Sequence, residues 1–125
     1  MFAMGRQHDE LADAAAALAN AETVTFGGVG LAGTMLPETE AYQRIEELAA
    51  DRPEEVRGQL ERLLSAGTPA ARVYAATLLE RLDPAAGQAA WVGLRADSAQ
   101  LQTATGCVLD STTVGAYAAD RLAES

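Results

Sequence analysis

The chain repeats itself, and the repeat limits what it can fold into. Its only tyrosines, Tyr42, Tyr74 and Tyr117, each stand five residues after a position that can open a helix: Pro37, Pro69 and Thr112. The last two run on identically, as Tyr74-Ala75-Ala76 and Tyr117-Ala118-Ala119. A second series starts at Pro53 and Pro84, 31 residues apart; seven residues on stand Leu60 and Trp91, and ten residues on stand Leu63 and Leu94. The tyrosine intervals are 32 and 43, so the last unit carries about eleven extra residues, which fall around Leu101 to Asp110. A helix pair recurring at such an interval cannot bury its apolar face alone, and stacking on its neighbours completes the core.

The segments between the punctuation read as helices. From Gln7 to Asn20, Leu11, Ala14, Ala15 and Leu18 follow the i, i+3, i+4, i+7 stripe of an amphipathic helix. Pro37 to Ala50 lines up Ala41, Ile45, Leu48 and Ala49, with Glu40 and Arg44 set to pair outside. Asp51 with Glu54 spells an acidic capping box for a helix from Pro53 to Ser65, which turns Val56, Leu60, Leu63 and Leu64 inward and ends at Gly67. Thr68-Pro69 is an N-cap followed by N1. The helix it opens, to Leu82, is apolar over most of its circumference and should be central. Asp83-Pro84 repeats the device for a fifth helix to about Ala96. After a connection from Asp97 to Asp110, Ser111 should cap a last helix ending near Ala123.

Two segments break the pattern. Glu22 to Leu36 holds several glycines, each costing a helix about 1 kcal/mol against alanine, and is expected to be a loop. Within it Thr23 to Phe26 alternates like a strand, and Leu101 to Leu109 is the one candidate partner for a small two-stranded contact. Gly28, Gly30 and Gly33 spell G-x-G-x-x-G, but Pro37 interrupts the helix that a dinucleotide fingerprint would need, and no βαβ unit follows.

Composition narrows the function classes. Alanine supplies 28 of 125 residues, which suits closely approaching helices. All nine basic residues are arginine, read here as the codon bias of a GC-rich bacterial genome, and they are scattered along a chain of net charge −9. Nucleic-acid binding needs a basic stripe, so neither DNA nor RNA is expected as a partner. No run approaches the ~20 apolar residues of a membrane span, and no signal peptide is legible, so a cytoplasmic location without membrane contact is expected. Catalytic, cofactor and metal sites are expected to be absent. One histidine, His8, and one cysteine, Cys107, do not make a zinc site, and nothing pairs them as base and nucleophile. Glu46 with Glu47 and Glu54 with Glu55 read as solvated helix faces, and the tyrosines as packing positions.

Thr68-Pro69-Ala70-Ala71-Arg72-Val73-Tyr74-Ala75-Ala76, continuing through Leu78 and Leu79 to Leu82-Asp83-Pro84, resembles a HEAT-type repeat. The resemblance runs from about Pro37 to Ala123. It implies an all-α fold, a short α-α superhelix, while the segments read above make five or six helices and the length of 125 residues suits a single domain over residues 1–125. It also implies a non-enzymatic module that binds another protein or a second copy of itself. The alternative is a small-molecule binder or enzyme, with a pocket between the 22–36 loop and the 97–110 connection. Trp91, Cys107 and Tyr117 would line that pocket.

Overall fold

All four prolines of the chain open helices: α2 (Pro37–Asp51), α3 (Pro53–Ala66), α4 (Pro69–Leu82) and α5 (Pro84–Leu94). At N1 a proline loses no hydrogen bond and brings its φ already set, so four of the helix starts are fixed by covalent geometry. The structure, a computed structural model, describes residues 2–24, 37–105 and 108–123. It adds α1 (Phe2–Ala19), α6 (Val114–Ala123) and three strands, β1 (Thr23–Val24), β2 (Gln100–Thr105) and β3 (Val108–Thr113). The fold is thus all-α with a small sheet. Gly28, Gly30, Gly33 and Cys107 lie outside the described residues, and with them most of the expected glycine-rich loop.

Consecutive helices pack side by side from α1 through α6, and α4 touches every other helix as well as β1 and β2. Ala70, Ala71, Val73, Tyr74, Ala75, Ala76, Leu78 and Leu79 are buried around its circumference, as expected of a central helix. In α1 the stripe of Leu11, Ala14, Ala15 and Leu18 is buried, although the helix starts at Phe2, five residues before the expected Gln7. The matched positions of the second series are buried in both members: Val56, Leu60 and Leu63 in α3, and Gly87, Trp91 and Leu94 in α5. Gly87 is needed at its site, since a Cβ there would lie 2.2 Å from Glu80 Cα in α4. No described helix is long and apolar enough to cross a membrane.

The caps follow expectation where the chain leaves room for them. Thr68 Oγ1 accepts from Ala71 N at 3.2 Å and donates to Ala21 O at 2.5 Å, tying the start of α4 to the end of α1. Asp83 Oδ1 accepts from Ala85 N at the start of α5. The Asp51–Glu54 box does not form. Helix α2 runs on through Asp51, which leaves Arg52 alone as the N-cap of α3 with no side-chain cap. Likewise α5 stops at Leu94, short of Ala96. Arg44 reaches across to Glu10 in α1 at 3.4 Å instead of pairing with Glu40.

The largest correction concerns the connection after α5. It is a hairpin, with β2 and β3 antiparallel and Leu101 opposite Thr112, and β1 lies parallel to β2 with Thr23 beside Gln102. The expected contact between Thr23 and the segment from Leu101 therefore forms, and β3 adds a third strand to it. Strand β3 carries the chain past Ser111 and Thr112 before α6 begins, so the cap of α6 falls to the strand's last residue, Thr113, whose Oγ1 accepts from Ala116 N at 3.1 Å. Thr112 is accordingly not equivalent to Pro37 and Pro69. Tyr117 sits only three residues into α6, where Tyr42 and Tyr74 sit five beyond the prolines that open theirs.

Candidate functional site

Between the C-terminal halves of α2 and α4 and the start of α3 lies an apolar groove of about 340 Å³. Val56 and Leu78 are its buried floor, and Ala49, Ala50 and Leu82 form its sides. Glu46 and Arg81 stand at its edge, with Arg81 Nε 2.5 Å from Glu46 Oε2. The helix starts explain the opening. Because Pro53 follows Asp51 after a single residue, α2 and α3 meet in a tight corner, and the small side chains of Ala49 and Ala50 leave the space beneath Leu82 unfilled. Glu46, expected on a solvated face, is instead drawn into an interhelical ion pair.

Tyr42 lies one turn behind Glu46. Its ring packs against Tyr74 with centroids 5.6 Å apart, and it is buried. Burial pushes the Tyr42 hydroxyl above its usual 10.0, and the Glu46 carboxylate adds to this, while Arg81 and Arg121 pull the other way. Tyr74 is fully buried, and its hydroxyl donates to Thr23 O at 3.2 Å, so it holds β1 against α4 instead of facing a ligand. Tyr117 packs on Trp91 at 5.8 Å, and the Arg121 guanidinium lies over the Trp91 ring at 5.6 Å. The tyrosines are packing positions, as expected.

Charge pairs cross the gaps between helices. Besides Glu46–Arg81, Arg121 Nη2 lies 2.6 Å from Glu80 Oε1, linking α6 to α4, and Arg57 in α3 reaches Asp83 at 3.3 Å. Arg72 is the most enclosed of these. It meets Asp97 at 2.5 Å and donates from Nε to Gly67 O, while Asp97 O accepts from Gly115 N at 2.7 Å. That junction ties the starts of α4, the hairpin and α6 together. The sequence spacing hides it, because its members lie 25 and 18 residues apart.

The pocket expected between the 22–36 and 97–110 segments falls largely outside the described residues. Those two segments do meet, through the β1–β2 pairing. Of its expected lining residues, Trp91 is 1% exposed and spends its ring on Tyr117 and Arg121, while Cys107 is not described. Trp91 Nε1 is buried and finds no hydrogen-bond partner among the described residues. Two further grooves follow α1, one against α2 and lined by Glu10, Asp13, Glu40 and Arg44, the other against α3 and lined largely by alanines. Among the described residues no three His, Cys, Asp or Glu side chains gather so as to hold a metal ion. Neither a family model, nor a curated protein, nor a solved structure matches this chain.

Proposed function

We propose that this protein is a non-enzymatic interaction module built on HEAT-like helix pairs, and that a protein partner binds in the groove between α2, α3 and α4. The observation that carries this reading is the pairing of α2–α3 with α4–α5. The two pairs bury matching positions, and the groove opens along their joint. A stack of helix pairs presents a continuous row of such joints, and solenoids bind other macromolecules along surfaces of this kind. The groove itself has the make-up of a small recognition site. Its floor is apolar, and Glu46 and Arg81 at its edge can exchange their mutual pair for one with a ligand. An apolar side chain of a helix or strand, flanked by a charge, fits that description.

The test is affinity capture with the whole chain as bait, compared with an Ala50→Glu, Arg81→Glu double variant. Both side chains are exposed, and an unchanged circular dichroism spectrum and melting temperature check that the fold survives the loss of the Glu46–Arg81 pair. The reading expects one protein recovered in stoichiometric amount by the wild type and lost with the variant. Equal recovery by both baits places the partner elsewhere, and recovery of no protein removes the proposal.

A further inference from the structure

We propose that the groove between α2, α3 and α4 takes an acidic peptide segment, in which an apolar side chain fills the groove and a neighbouring carboxylate meets Arg81. This rests on the groove being the working surface, and it gives the ligand a sign of charge. Glu46 and Arg81 are the charged side chains that line the groove, and Ala49, Ala50, Val56, Leu78 and Leu82 supply the rest. The two charges cancel as a pair, but they are not presented alike. The Arg81 side chain is 63% exposed and that of Glu46 is 35% exposed. Glu46 Oε2, the oxygen that faces Arg81, is itself buried. A ligand entering from solvent therefore reaches the guanidinium before the carboxylate behind it.

The way Arg81 is held decides what it can still bind. Its Nε is the atom that lies 2.5 Å from Glu46 Oε2. The Tyr42 hydroxyl accepts a second hydrogen bond from the same guanidinium. A guanidinium carries several N–H donors in one plane, so these two contacts leave donors over for an incoming acceptor. Arg81 can thus meet a carboxylate while Glu46 and Tyr42 keep it in place, and a side chain held in advance loses less freedom on binding. A cationic side chain has no such route. It would have to displace Arg81 from Glu46 and leave the guanidinium without its counter-charge. The volume of about 340 Å³ suits a side chain or a short stretch of chain, not the face of a folded domain. The net charge of −9 repels an acidic segment at long range, so the attraction comes from contact in the groove and not from steering.

The probe is a displayed library of short random peptides, selected on the immobilised whole chain, with the binders then measured by fluorescence polarisation. Selected peptides should carry Asp or Glu beside Leu, Met or Phe. Ala50, exposed at the side of the groove, allows a charge swap at nearly matched bulk. Ala50→Glu should weaken the selected peptides about tenfold, while Ala50→Lys should hold or strengthen them, each with an unchanged circular dichroism spectrum. Arg81→Gln should cost more binding than Glu46→Gln. Selected peptides rich in Lys or Arg, or the reverse order within either pair of variants, overturn the inference and leave the groove as the working surface. Peptides insensitive to all four substitutions bind elsewhere and count against both readings. A library that yields no binder removes the acidic segment alone, since capture of a folded protein still decides the groove.

Discussion

At the scale of single residues, Tyr42 shows what the sequence could and could not reveal. Its place on a buried stripe is legible from spacing alone. Its neighbours Arg81 and Arg121 come from two other helices and are not. The resulting environment has a consequence for pH. Folding holds the phenol proton more tightly than the unfolded chain does, because burial and Glu46 both disfavour the phenolate. The stabilisation is therefore complete below the ordinary tyrosine range and is lost as pH rises through the folded value. Melting curves between about pH 9 and pH 11 should fall more steeply for the wild type than for Tyr42→Phe. Parallel slopes would mean the hydroxyl titrates as it does in water. Thr68 and Thr113 add a second lesson. Both are threonine caps, but only Thr68 announces itself by the proline that follows it. Thr113 is reached by a strand, and the better-looking Ser111 loses the role because β3 consumes it.

At the scale of elements, the helices were readable because proline, alanine and 3.6-residue spacing all point to the same answer. The hairpin was not. Its strands are short, rich in threonine and glutamine, and too weakly alternating to be told from an irregular connection. Pairing with β1 and packing on α4 and α6 supply what local propensity lacks. Within the paired helices, two glycines make opposite predictions. A Cβ at Gly58 meets nothing within 4 Å, so Gly58→Ala should raise stability by up to about 1 kcal/mol through helix propensity. Gly87 faces the α4 backbone, where an added methyl must force α5 away, and Gly87→Ala should cost about 1–3 kcal/mol. Chemical denaturation of the two variants distinguishes these signs. A neutral Gly87→Ala would contradict the close approach of α5 to the α4 backbone.

At the scale of the whole molecule, α4 joins every other helix to the sheet, so the described elements should unfold together. Leu79 lies at its heart, 2% exposed. Leu79→Ala should cost about 2–5 kcal/mol and lower the melting temperature while preserving a single cooperative transition. Two separate transitions would mean that α1 or the hairpin folds independently of the stack. The order of stacking was legible from the tyrosine and proline intervals, but the groove was not. Its floor comes from Val56 and Leu78 and its edge from Glu46 and Arg81, residues that three different helices bring together. The claim that this joint is the working surface is tested most directly by hydrogen–deuterium exchange on the complex recovered by capture. Slowed exchange is expected in the last turns of α2 and α4 and the first turn of α3. Protection confined to β1 and the β2–β3 hairpin, with those turns unchanged, would contradict it.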